Sequence, residues 1–144
     1  MKRAILIGTF DLTHYGHYEK CRMLKDNGFC VVVAVTRDRF CEEYKRRPIM
    51  SMEERMRNMS SCKWVDEVII DTGGHDVRDM LIENKIDVLA HGSDWSSKDY
   101  MKQVGITRDW MDENNIDELI LPYTRTISTS ELIKNIKERN DLDE

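Results

Sequence analysis

Ala4-Ile5-Leu6-Ile7-Gly8-Thr9-Phe10-Asp11-Leu12-Thr13-His14-Tyr15-Gly16-His17 joins an unbroken apolar run to a pair of histidines. The run reads as a strand buried on both faces, since no polar residue alternates with its apolar ones. Tyr18 to Asn27 reads as a helix. The glycine turn between them lies where a first strand hands over to a first helix. In an open α/β sheet, phosphates bind at that point: backbone N–H groups face outward and the helix N-terminus carries partial positive charge. Gly8, Thr9 and Phe10 form the turn, and His14 and His17 bring two imidazole donors toward a bound triphosphate. Gly16 lets the backbone approach closely. Away from this context, the two histidines would read as capping or core residues.

Outward from this unit, apolar runs alternate with helical patterns. Ala4–Ile7, Cys30–Val35, Val65–Ile70, Ile86–Ala90 and Glu118–Leu121 read as strands. Tyr18–Asn27, Met52–Ser61, Asp76–Asn84, Arg108–Asn114 and Ser130–Arg139 read as helices. Such alternation predicts a right-handed, doubly wound parallel sheet with helices on both faces. Pro48 and Pro122 punctuate loops. The length of 144 residues predicts one domain over 1–144, with an acidic frayed tail at about 140–144.

Hydrophobic residues at 40% and charged residues at 34% describe a globular chain with a well-charged surface. Its net charge of −5 weighs against nonspecific nucleic-acid binding, so a bound polyanion needs a local basic cluster such as Lys45-Arg46-Arg47. No apolar run approaches the roughly 20 residues of a membrane span, and the chain leads directly into a strand without a signal peptide. Cys21, Cys30, Cys41 and Cys62 form no C-x-x-C pair, and the histidines are not spaced to complete a zinc site. Reduced thiols in a cytoplasmic protein are the expectation.

Gly8-Thr9-Phe10-Asp11 with His14-Tyr15-Gly16-His17 resembles the nucleotidyltransferase superfamily with an HxGH signature, and closely its cytidylyltransferases. The resemblance continues along the chain. It covers Arg55 in Ser51-Met52-Glu53-Glu54-Arg55, the Trp64–Ile69 stretch, and Ile86 through Trp95. Ile127-Ser128-Thr129-Ser130 is similar to the second signature, R-T-x-G-I-S-T. The family implies a Rossmann-like five-stranded sheet of order 3-2-1-4-5, which sets strands 1 and 4 side by side.

The implied site is built as follows. His14 and His17 contact the triphosphate, with Gly8, Thr9 and Phe10 offering the turn; Phe10 equally fits simple packing. Asp11 orients a histidine, contacts the second substrate or only stabilises the turn. A lysine-bearing loop reaches over the phosphates, with Lys45 as first choice among Lys45, Arg46 and Arg47; a solvated charge run is the alternative. Arg55 contacts a phosphate or is a surface arginine paired with Glu53 or Glu54. Lys63 stands where relatives carry an arginine serving the active site, and it lacks bidentate recognition. Gly92 and Asp94 shape the nucleoside pocket, while Trp95 either joins them or caps the strand. Ile127, Ser128 and Thr129 bind phosphate at a helix start, where Ser128 and Glu131 also fit a capping box.

One departure stands out. Glycerol-phosphate enzymes read P-R-T-E-G-I-S-T, whereas this chain reads Pro122-Tyr123-Thr124-Arg125-Thr126-Ile127-Ser128-Thr129. Tyr123 holds the arginine position and Thr126 the glycine position. Arg125 either restores the charge or faces solvent.

The implied chemistry is Mg²⁺-dependent transfer of CMP from CTP to a small phosphorylated alcohol, most simply glycerol 3-phosphate. The implied assembly is a homodimer. Two rivals are adenylyl transfer to a phosphorylated sugar or FMN on the same fold, and a catalytically inert nucleotide-binding subunit.

Overall fold

A computed structural model describes residues 1–122 and 128–142. Its five strands are β1 (Arg3–Gly8), β2 (Cys30–Val35), β3 (Glu67–Ile70), β4 (Val88–Gly92) and β5 (Asp117–Leu121). They form one parallel sheet of order β3-β2-β1-β4-β5, as the family resemblance implies. The register sets Leu6 of β1 between Val33 of β2 and Ala90 of β4. The order reverses at β1, so a crevice opens above the C-terminal ends of β1 and β4.

Seven helices lie among the described residues: α1 (Tyr15–Asp26), α2 (Asp38–Tyr44), α3 (Met52–Ser60), α4 (Arg78–Glu83), α5 (Ser97–Val104), α6 (Arg108–Glu113) and α7 (Thr129–Glu138). The apolar runs alternate between two cores, as side chains of period two must. Ile5, Val32, Ala34 and Leu89 face Met80, Leu81, Met101 and Met111 from α4, α5 and α6. Ala4, Leu6, Val33 and Ala90 face Cys21, Leu24 and Met59 from α1 and α3. Both faces of the central strands are thus dry, which explains their lack of polar alternation.

The sequence reading lacked α2 and α5. Ser96 caps α5 by accepting from the Asp99 N–H at 3.1 Å, and Tyr100, Met101 and Val104 bury one face. Gly105 ends it in the left-handed region, φ 75°; a Cβ there would fall 2.0 Å from the His75 carbonyl oxygen. Helix α4 starts at Arg78 rather than Asp76, whose carboxylate instead accepts from the Arg78 backbone N–H. At the acidic end, residues 140–142 are exposed, and 143–144 lie outside the described residues. Among the described residues no helix is long and apolar enough to cross a membrane.

Candidate functional site

The loop from β1 to α1 carries two non-glycine residues in the left-handed region, Phe10 (φ 53°) and Leu12 (φ 46°). Such conformations persist only where the surroundings hold them. The Phe10 side chain is buried, with its ring over Gly8, where a Cβ would meet it at 3.2 Å. Phe10 therefore packs the turn, and any phosphate it serves meets its backbone.

Asp11, 2% exposed, ties this loop to the segment before α3. Its carboxylate accepts from Ile49 N–H (2.8 Å), Met50 N–H (2.9 Å) and the Arg46 guanidinium (2.9 Å). Burial pushes its pKa up, but these three donors outweigh it and the group ends lower than usual. The expected substrate-binding or histidine-orienting role gives way to this one: Asp11 pins a loop. Arg55 is likewise corrected. It is 0% exposed and donates to the carbonyls of Thr9 (2.8 Å), Thr36 (2.8 Å) and Met50 (3.2 Å) and to Asp38. With its donors committed and no surface of its own, it braces the phosphate loop from beneath.

The two histidines cap α1. His14 Nδ1 accepts from Gly16 N–H at 3.1 Å, and His17 Nδ1 accepts from His14 N–H at 3.2 Å. This is a capping box built from imidazoles. A ring nitrogen that accepts carries no proton, so in each neutral ring the proton sits on Nε2. The rings are 4.1 Å apart. His14 Nε2 is buried and has no hydrogen-bond partner among the described residues. Burial and the nearby charges of His14, Lys20 and Lys45 hold the His17 pKa down to about 3. Burial, then Lys20, also lowers that of His14. The helix start therefore holds neutral imidazoles whose Nε2–H groups the cap does not use: that of His14 is buried, and His17 lines the cleft.

A cleft of about 650 Å³ opens at this point, lined by His17, Lys20, Lys45, Arg46, Gly92 and Asp94 among others. The basic loop is thereby sorted. Lys45 faces the cleft, Arg46 holds Asp11, and Arg47 is exposed, 4.0 Å from Glu42. Gly92 is the last residue of β4; a Cβ there would fall 2.6 Å from Asp94 Oδ1 and 3.0 Å from Lys20 Nζ. Trp95 lines the cleft and packs against the core beside Tyr100, with ring centroids 6.0 Å apart.

Ser128 caps α7, its hydroxyl oxygen accepting from Glu131 N–H at 3.1 Å, as the capping pattern predicts. Thr129 lines the cleft and donates its hydroxyl to the Asp11 carbonyl at 2.7 Å. The Thr129 hydroxyl is thereby committed, whereas Ser128, which only accepts, keeps its own O–H to donate beside the backbone N–H groups of the helix start. Lys63 is corrected. It is exposed, lies 4.8 Å from the Trp64 ring, and precedes β3, so it stands at the opposite end of the sheet from the cleft. Tyr123, Arg125, Thr126 and Ile127 lie outside the described residues.

Sequence reasoning missed Lys20 and His91. Lys20 stands three residues after His17, one turn along the same helical face, and that spacing was the available signal. His91 is buried under the cleft and bonds Gly92 O (2.9 Å) and Glu118 (2.7 Å), while Glu118 also accepts from Ser97 and Arg108, each at 2.7 Å. No local pattern announces that network.

Comparisons with known proteins agree with this geometry. The family model described as cytidylyltransferase-like matches residues 5–135. Glycerol-3-phosphate cytidylyltransferase of Bacillus subtilis (strain 168) is 31% identical over 137 residues, 94% of this chain and 98% of that one. FAD synthase of Pyrococcus horikoshii is 30% identical over 145 residues, covering 94% and 93%. Among solved structures, the lipopolysaccharide core biosynthesis protein from Thermoplasma volcanium GSS1 superposes with a TM-score of 0.71 at 26% identity, covering 88% of this chain and 99% of that one. A family model spanning nearly the whole chain, on the sheet order and paired-histidine helix start seen here, leads to one statement: the chain belongs to the cytidylyltransferase-like family.

Proposed function

We propose that the protein transfers CMP from CTP to glycerol 3-phosphate, forming a CDP-alcohol and pyrophosphate. An oxygen of the acceptor phosphate attacks the α-phosphorus, and the bond to the β-phosphate oxygen breaks. The nucleophile is already an anion, so the protein need only align the groups and stabilise charge that builds during transfer. The observation that carries this reading is the imidazole capping box, which keeps both Nε2–H groups out of the cap and sets His17 in one cleft with Lys20 and Lys45. Gly8, Thr9, Gly92 and Asp94 line the same cleft; in this reading the first two serve the phosphates and the last two the nucleoside.

The reading includes Mg²⁺. No cluster of three His, Cys, Asp or Glu side chains among the described residues is placed to hold a metal. The ion would therefore arrive on the triphosphate oxygens. The reading also includes a homodimer, supported by the exposed apolar side chains of Tyr15, Ile49 and Ile70, and a cytoplasmic setting, supported by four free cysteines. Sedimentation showing only monomer at micromolar concentration would remove the dimer.

The similarity to an FAD synthase supports a second reading, adenylyl transfer to FMN. Pyrophosphate release should be measured with CTP, ATP, GTP and UTP against glycerol 3-phosphate, other phosphorylated alcohols and FMN. CTP turnover that depends on glycerol 3-phosphate is expected. Turnover only with ATP would replace the first reading by the second, and no turnover with any pair would indicate an inert nucleotide-binding subunit.

A further inference from the structure

Lys20 belongs to no signature that identifies the family, and three observations give it a task. It projects from α1, one turn after His17, into the cleft. Its ammonium sits against Gly92, at 3.0 Å from where a Cβ would stand, so the strand end is shaped around it. Among the described residues it makes neither a hydrogen bond nor an ion pair, although Asp94 Oδ1 flanks the same glycine.

The other cations around the phosphate loop differ. Arg46 is held by Asp11, and Arg55 is buried on backbone carbonyls. Lys45 follows the end of α2 on a connecting segment. Lys20 is the cation carried by a continuous 12-residue helix, the same one that positions the histidines. Half-burying an ammonium without a hydrogen bond or a direct ion pair is unfavourable, and an anionic ligand group relieves it.

We infer that Lys20 is a nucleotide-phosphate contact, a cation that bridges the histidine pair and the strand end at Gly92 and neutralises a phosphate of the bound nucleoside triphosphate. The inference rests on the nucleotidyl-transfer reading. It assigns Lys20 to the nucleotide rather than to the acceptor, because the ammonium lies at β4 beside Asp94, on the wall proposed for the nucleoside. Sequence pattern adds weight: Tyr123 holds the position where glycerol-phosphate enzymes carry an arginine.

The test compares wild type with Lys20→Gln, which keeps helix propensity and removes charge. Equilibrium binding of CTP and cytidine is measured without acceptor, followed by the KM for glycerol 3-phosphate. CTP affinity is expected to fall about tenfold or more, the scale of one charge-assisted hydrogen bond. Cytidine affinity, the urea midpoint and the acceptor KM should stay within about twofold. The inference is overturned by CTP affinity that does not change, by equal losses of CTP and cytidine, or by a rise confined to the acceptor KM. A wild type that binds ATP and not CTP refutes the cytidylyl reading alone, and the same comparison is then made with ATP and adenosine. A wild type that binds neither nucleotide refutes both.

Discussion

Replacing Arg55 separates a brace from a substrate contact. The guanidinium is fully buried and satisfies the carbonyls of Thr9 and Thr36 at 2.8 Å and of Met50 at 3.2 Å. In Arg55→Ala, Asp38 returns to water, since it is 45% exposed. The Thr9 and Thr36 carbonyls lose their donor inside the protein, at about 1–3 kcal/mol each. The lost side-chain volume adds a cavity term. Together these predict a destabilisation of about 3–5 kcal/mol. Against a total stability of about 5–15 kcal/mol, that lowers the melting temperature by roughly 10–20 °C. Arg55→Lys should fall between, because one ammonium cannot bridge three carbonyls and a carboxylate as a planar fork does. Urea denaturation of both variants, with nucleotide affinity measured on the folded fraction, is the assay. A loss under about 1 kcal/mol together with collapsed CTP affinity would refute the brace and return Arg55 to the ligand.

Three more outcomes are expected. With its folded pKa near 3, below the ordinary histidine value of about 6.5, His17 takes up a proton more readily in the unfolded chain. Stability should therefore fall as pH drops from about 6.5 toward 3. His17→Gln should flatten that slope in urea midpoints taken at successive pH values, and an unchanged slope would mean that the ring titrates normally. Asp11 is also shifted down, so its contribution is present above the ordinary carboxylate range and lost as pH falls through its depressed value; Asp11→Asn should cost about 1–3 kcal/mol and speed trypsin cleavage after Lys45 and Arg46, and an unchanged cleavage rate would show that the loop is held otherwise. Gly92→Ala puts a Cβ against Asp94 Oδ1 and Lys20 Nζ, both flexible ends, so the fold should survive within about 1 kcal/mol while CTP affinity drops; full affinity by calorimetry would mean that neither side chain serves the nucleotide.

What could be read ahead of the structure was what the chain encodes locally. The central strands announced themselves because both of their faces are dry, and Ser128 was legible as a cap because its partner Glu131 is three residues away. The same spacing in His14 and His17 is a capping box in a different alphabet, visible once imidazole is allowed the role of a carboxylate. Helix α5 was missed because its buried residues are only three, Tyr100, Met101 and Val104, set among charges. Arg55 was misread for a deeper reason. Its acceptors are backbone carbonyls at Thr9 and Thr36, remote in sequence, and carbonyls carry no side-chain signature. For Asp11 a stabilising role was one of the readings, but its partners were not legible, since two of its donors are the backbone N–H groups of Ile49 and Met50.

These misreadings share a physical logic that divides the basic residues by shape. A planar fork suits several fixed acceptors, and the two arginines at the phosphate loop are used that way: Arg55 joins three carbonyls and Asp38, and Arg46 binds Asp11 and the Arg47 carbonyl. An ammonium is a compact point charge that can follow an anion, and the two lysines lining the cleft, Lys20 and Lys45, take the positions that face a ligand. The histidines are neutral and fixed by their own caps, so they add directed donors without adding charge. An acidic chain of net charge −5 thereby builds a locally cationic site with few free cations. Its preference for a polyanion should be strongly salt-dependent, because screening acts on the lysines and hardly on the buried forks.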